Sequence, residues 1–193
     1  YHQLDRQRSL GLATLKRVFQ LGIDSGPRSQ QLWDRSQTLL LQVHNDGLDD
    51  PDVEATLAQL LFAASKNQAV RHAAAALENP EIGVESRLNA LYALASHHHS
   101  QKRPRKSLEY LDQLIRIRRS ASDWEMRGLC QLQQREFQAA IESLQTAVAI
   151  DPELLPAHDL LSRLYNDLGK KTESARHRRR VRRLQAIFRG RRP

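Results

Sequence analysis

The sequence predicts an all-α fold, a solenoid of about five helix–turn–helix hairpins stacked in chain order. Two observations lead there: apolar residues recur at intervals of three and four along almost the whole chain, and pairs of an apolar and a small residue return at a nearly constant period. Composition agrees. Of 193 residues, 40% are hydrophobic and only 5% aromatic, and the unbranched and Ala side chains that dominate lose little freedom in a helix. Runs of β-branched and aromatic residues bounded by turn signals, the mark of strands, are missing.

Ten helices follow from the periodicity, at about 4–21, 29–44, 52–65, 68–78, 84–97, 104–117, 121–133, 137–149, 155–168 and 171–187. Gly22 to Pro27 ends the first. Asp46-Gly47 through Pro51 ends the second, and Asp52 then suits the positive N-terminus of the third. Asn79-Pro80 and Asp151-Pro152 interrupt helices where proline removes the backbone donor. Gly169 suits a left-handed helix C-terminus.

The first helix of each hairpin carries a small residue after an apolar one, at Leu10-Gly11, Leu57-Ala58, Leu94-Ala95 and Leu161-Ser162, with Arg127-Gly128 in the fourth. Positions 58, 95, 128 and 162 are separated by 37, 33 and 34 residues. A second track runs through partner helices as Ala69/Ala73/Ala76, Ser107/Leu111/Leu114 and Ala140/Leu144/Ala147, whose first members are 38 and 33 apart. A small residue at a helix crossing lets two backbones approach, and the apolar residue beside it fills the gap.

This pattern resembles the tetratricopeptide repeat, a helix–turn–helix unit of about 34 residues with the form W-x2-L-G-x2-Y, then A-x3-F, then P. Residues 121–154 match best, with Trp124, Gly128, Ala140, Leu144, Ala147 and Pro152 in step, while Arg127 and Gln131 stand in place of the expected Leu and Tyr. Residues 155–188 carry His158-x2-Leu161-Ser162-x2-Tyr165, Gly169, Ser174 and Val181, with Arg178 where an apolar residue is expected, so that second helix is expected to shift register. Residues 88–120 and 51–80 follow the pattern more sparsely, and 4–50 only loosely. The resemblance implies a right-handed α-solenoid. It divides the chain into a degenerate N-terminal hairpin (1–50), repeats (51–169) and a basic capping helix with a tail (170–193).

Charge is uneven. Residues 170–193 hold eleven Lys and Arg against Glu173, a net +10, and the remaining 19 basic and 21 acidic residues give −2, so the overall +8 reports the tail. His177, Val181, Leu184 and Phe188 form an apolar stripe expected to pack on the last repeat, leaving Arg176, Arg179, Arg180 and Arg183 in water as candidate anion-binding residues. Arg189, Arg191 and Arg192 are expected to fray. No aromatic residue is interleaved with the arginines, so any nucleic acid they hold would be bound without regard to sequence.

Catalytic and metal motifs are missing from the sequence. It has no phosphate loop, nucleophile elbow, dinucleotide turn, HExxH or CxxC. The run His97-His98-His99 points its side chains in three directions on a helix, which suits no single metal. Cys130 lies between Leu129 and Leu132 on a core stripe and reads as a buried, inert thiol. The acidic stretch Asp46, Asp49, Asp50, Asp52 and Glu54 reads as a solvated linker and helix start, and Trp33 and Trp124 as packing residues. No enzyme activity, cofactor or metal is expected.

The resemblance implies that first helices line a concave face that takes an extended peptide or a partner helix. By repeat register that face comprises Gln59, Asn89, Tyr92, Ser96, His99, Glu125, Asp159, Arg163 and Asn166. Some families of this repeat clamp a C-terminal carboxylate with Lys and Asn. Tyr92, Ser96, Glu125, Asp159 and Arg163 stand at the matching places, which implies no such clamp, and Glu125 and Asp159 point to a partner with basic residues. The expected function is a protein–protein interaction scaffold. Its alternatives are an anionic partner, nucleic acid or acidic surface, held by the arginine helix, and a non-catalytic accessory domain of a larger enzyme. No apolar run is long enough to span a bilayer, so a soluble protein is expected, with the cytoplasm favoured. The start at Tyr1 predicts a fragment or processed product.

Overall fold

The computed structural model describes residues 2–20, 27–62 and 65–190. Among the described residues lie ten helices and no strand. They are α1 (His2–Gln20), α2 (Pro27–Asn45), α3 (Pro51–Leu61), α4 (Lys66–Glu78), α5 (Val84–Ser100), α6 (Pro104–Ile117), α7 (Ala121–Gln133), α8 (Phe137–Ile150), α9 (Leu155–Asp167) and α10 (Lys171–Gly190). α3 stops at Leu61, short of the expected 65, and α5 continues to Ser100, past the expected 97. Of the break expected from Gly22 to Pro27, residues 22–26 lie outside the described residues and Pro27 begins α2; the tail residues Arg191 and Arg192 and the Phe188 side chain also lie outside them.

Two compact units divide the chain, Tyr1–His97 and His98–Pro193. In the first, α1 pairs with α2 and α3 with α4, and α2 also meets α3. In the second, α7 pairs with α8 and α9 with α10, while α6 meets α7 and α8 meets α9. Each unit has its own core. Leu40, Val43, Val53, Leu57, Leu60 and Leu61 cluster in the first, with Trp33 packed beside them. Ile141, Leu144, Leu161 and Tyr165 cluster in the second, with Trp124 beside them.

The small-residue tracks are the crossings. All nine residues of the second track are fully buried. A Cβ added at Gly128 would sit 2.8 Å from Leu144 Cγ, so only glycine admits this approach of α7 to α8. The first hairpin, which matched the repeat loosely in sequence, has the same arrangement. Ser36, Leu40 and Val43 are fully buried in α2, and a Cβ at Gly11 would sit 2.8 Å from Leu40 Cδ2. Ser36 Oγ donates to Gly11 O at 2.8 Å, and Ser174 Oγ donates to Ser162 O at 2.8 Å in the last hairpin. A hydroxyl of one helix thus meets a carbonyl of the other at both crossings. Leu10, by contrast, is 45% exposed and plays no core part.

The departures in the fourth hairpin compensate one another. Arg127, in place of Leu, reaches Asp112 at 3.0 Å and Ser143 at 2.8 Å, and Gln131, in place of Tyr, is buried with its amide 2.7 Å from Ser143 Oγ. A polar chain here replaces an apolar pair, and its groups are mutually satisfied. In α10 the register shifts as expected. Ser174, Val181 and Leu184 are buried and Arg178 is exposed, so His177 takes the position that Arg178 vacates.

Helix ends follow local chemistry. Gly47 and Gly169 are left-handed at φ 86° and 72°. Lys170 N donates to Tyr165 O at 2.8 Å, closing the six-residue loop that ends α9. Asp50 caps α3, accepting from Asp52 N and Val53 N at 3.0 Å. It also pairs with Arg8 at 2.6 Å. The acidic stretch is a helix start and, at the exposed Asp46 and Asp49, a solvated linker, but Asp50 is engaged by Arg8 and Glu54 is 4% exposed.

Candidate functional site

Each first helix buries one face and turns the other outward. On α9, Ala157, His158, Leu161, Leu164 and Tyr165 are buried, while Arg163 and Asn166 are exposed and Asp159 is half-buried. Positions 159, 163 and 166 share one face by helical spacing. On α5, Asn89, Ser96 and His99 are half-buried and Tyr92 is 37% exposed. Gln59 is exposed on α3, and Glu125 is half-buried on α7.

Electrostatics change the expected character of this set. Asp159 and Arg163 pair at 2.6 Å along the helix, so Asp159 does not offer a lone negative charge. Burial raises the Glu125 carboxyl above its ordinary value. The face offers hydrogen-bonding groups more than a net charge.

His99 meets Cys130, with Nδ1 3.4 Å from Sγ, and approaches Gln133 at the same distance. A cysteine–histidine pair invites comparison with a nucleophilic dyad, which requires a thiolate beside an imidazolium. Here burial raises the Cys130 thiol, outweighing its bond with Ser107, and burial lowers the His99 imidazole. Both groups stay neutral, and the sulfur is fully buried.

A cleft of about 530 Å³ opens where α10 crosses the end of α8 and the start of α9. Arg176, Arg179, Arg180 and Arg183 all line it. Three of them are exposed, but Arg180 is half-buried, because its Nε donates to Pro152 O at 3.1 Å. His158 and His177 form its wall, with their Nδ1 atoms 2.9 Å apart. His158 Nε2 donates to Pro152 O at 3.1 Å, so its Nδ1 accepts and His177 Nδ1 donates. Burial lowers both imidazoles, His177 to about 4, with repulsion from His158 and Arg176 adding to the latter. The arginines supply the charge of the cleft and the histidines its neutral wall.

In the first unit, a cluster that the sequence did not reveal joins three helices. His44 of α2, Glu54 of α3 and His72 of α4 converge, with the two Nδ1 atoms 2.6 and 2.7 Å from the two carboxylate oxygens. Spacings of 10 and 18 residues follow no ligand motif, so only the packing of α2, α3 and α4 brings them together.

Residues 124–154 match the family model of the tetratricopeptide repeat. This chain carries a tetratricopeptide repeat. The match falls on the α7–α8 hairpin and its exit, where Gly128, Ala140, Leu144 and Ala147 make the crossing. No curated protein matches the chain in sequence. Among solved structures, a double mutant of MamA RS-1 is similar with a TM-score of 0.76 and 17% identity, over 97% of each chain. MamA 41-end from Desulfovibrio magneticus RS-1 gives 0.72 at 18% identity, over 94% of this chain and 96% of that one. MamA MSR-1 gives 0.74 at 13%, over 97% and 99%. At these identities the likeness is one of fold: the helical-repeat α-solenoid extends over nearly the whole chain. No described helix is long and apolar enough to cross a membrane.

Proposed function

We propose that this tetratricopeptide-repeat chain is a protein–protein interaction scaffold whose first-helix faces take a peptide or a partner helix. The observation that carries this is the division of α9, which buries six residues and offers Asp159, Arg163 and Asn166 along its other face. A row of donors and acceptors at successive turns suits a chain whose backbone needs hydrogen bonds. Neutralisation of Asp159 by Arg163 favours a polar partner over a strongly basic one. Photo-crosslinkers placed at Arg163 and Asn166, and at the exposed Gln138 of α8 as a control, test the reading. Specific adducts are expected from the α9 positions alone. Adducts from Gln138 with none from α9 would place the partner elsewhere.

A second reading rests on the arginine cleft. It has Arg176, Arg179, Arg180 and Arg183 on one wall and neutral histidines on another, and this favours binding of an anionic group such as a phosphate. Replacing Arg179, Arg180 and Arg183 with Gln should abolish retention on heparin at low salt while the helix content stays unchanged. Equal retention of parent and variant would remove this reading.

A further inference from the structure

We propose that His44, Glu54 and His72 form a binding site for a divalent transition-metal ion of the zinc class. The case starts from Glu54. Glu54 as a residue is 4% exposed, on the buried face of α3 beside Val53, Ala55 and Leu57. A buried carboxylate requires a positive or donating partner on each oxygen. It has one imidazole on each, His44 at 2.6 Å and His72 at 2.7 Å. The rings stand edge to face, with centroids 4.8 Å apart. One ligand atom from each residue lies within 4.8 Å of the others.

Two imidazole nitrogens and one carboxylate oxygen are a donor set that zinc, nickel and copper prefer, whereas calcium and magnesium take oxygen. Around a tetrahedral zinc, bonds of about 2.0–2.2 Å put neighbouring ligands roughly 3.3 Å apart. The present separations, from 2.6 Å to no more than 4.8 Å, bracket that value, so side-chain rotation suffices. Each imidazole moves its proton from Nδ1 to Nε2, which turns both Nδ1 lone pairs toward the ion, and Glu54 supplies the negative charge. The His44 side chain is 41% exposed, so ion and water have a way in, and the fourth position belongs to water. His72 and Glu54, at 12% and 6%, form the buried half of the site.

The consequence is a staple. The three ligands come from α2, α3 and α4, and an ion held by them ties the first hairpin of the Tyr1–His97 unit to the second. Binding only to the folded unit then raises its stability in proportion to the free ion.

The test uses the full chain, stripped of metal by a chelator and titrated with Zn²⁺ by calorimetry and with Co²⁺ by visible absorption. One ion per chain is expected, with a tetrahedral cobalt spectrum and a rise in Tm. His44→Ala removes an exposed ligand, so it folds, and it should weaken binding at least about tenfold and abolish the rise in Tm. Glu54→Gln should do the same where it folds. His97→Ala with His98→Ala, outside the cluster, should leave binding unchanged. The proposal is overturned if the parent takes up no ion, if His44→Ala binds as the parent does, or if only the His97/His98 variant loses the ion.

Discussion

Gly128 decides how closely α7 meets α8, and Gly128→Ala measures that contact. The added Cβ would lie 2.8 Å from Leu144 Cγ, 3.1 Å from its Cδ2 and 3.3 Å from the backbone oxygen of Ala140. Leu144 is fully buried and cannot swing into solvent. Overpacking of this kind costs about 1–3 kcal/mol. Alanine gains about 0.8–1.0 kcal/mol over glycine inside a helix. The net expectation is a loss of about 1 kcal/mol. Leu144→Ala alone leaves a cavity and costs about 2–5 kcal/mol. In that background both Leu144 contacts are gone and only the 3.3 Å approach to the Ala140 oxygen still opposes the helix gain, so Gly128→Ala should then stabilise by up to about 1 kcal/mol. The sign reverses, and the coupling between the two sites is up to about 2 kcal/mol. Urea unfolding of the four proteins, followed by far-ultraviolet circular dichroism, measures it. A Gly128→Ala effect of the same sign and size in both backgrounds would refute the crossing.

Three further outcomes follow from the second unit. His177 is held at about 4 in the fold against 6.5 in the unfolded chain, so between those values the unfolded chain binds more protons. Stability is therefore complete above 6.5, falls as pH drops toward 4 and levels below it. The difference is worth at most roughly 3 kcal/mol, or about 1–3 after screening of its exposed edge, and His177→Phe should flatten that part of the Tm–pH profile. Asp123 is fully buried and receives two bonds from Arg118, at 2.7 and 2.8 Å. Arg118→Ala leaves that carboxylate unpaired and should cost about 3 kcal/mol, near the low end for a broken buried pair because the guanidinium is partly exposed; a loss under about 0.5 would show that the pair is dispensable. Leu184 is 1% exposed on α10, so Leu184→Asp should unfold or strongly destabilise the last hairpin, whereas Arg183→Gln should leave Tm within a degree or two, as measured by thermal denaturation.

The crossings were legible because they repeat. Gly128, Ala140, Leu144 and Ala147 carry enough of the pattern to be read from one hairpin, and the track through Ala69 and Ser107 extends it at a nearly fixed spacing. In the first hairpin only Gly11 was legible as a crossing residue; Ser36, Leu40 and Val43, which make the same contacts from α2, were not. Gly11 and Ser36 are 25 positions apart, while Gly128 and Ala140 are 12 apart, so longer helices and a longer link hide the period. The inward turn of His177 in α10 was legible as well, because it stands at helical spacing from Val181 and Leu184, both buried, while Arg178 is exposed.

The sequence by itself determined what depends on neighbours along the chain. It set the helical state, most helix ends, the small residues at crossings, the concentration of charge after residue 170 and the buried character of Cys130. Each follows from spacing within a turn or a hairpin, where geometry is fixed by the backbone. Only the tertiary structure decided what depends on helices meeting. It gathered the four arginines of α10 against His158 and Pro152, turned Arg180 onto a carbonyl, and brought His44 and His72 to the two oxygens of Glu54. Which rotamer a polar side chain adopts, and which distant helix supplies its partner, is set by packing of surfaces far apart in sequence. Periodicity says which face is apolar and leaves those pairings open.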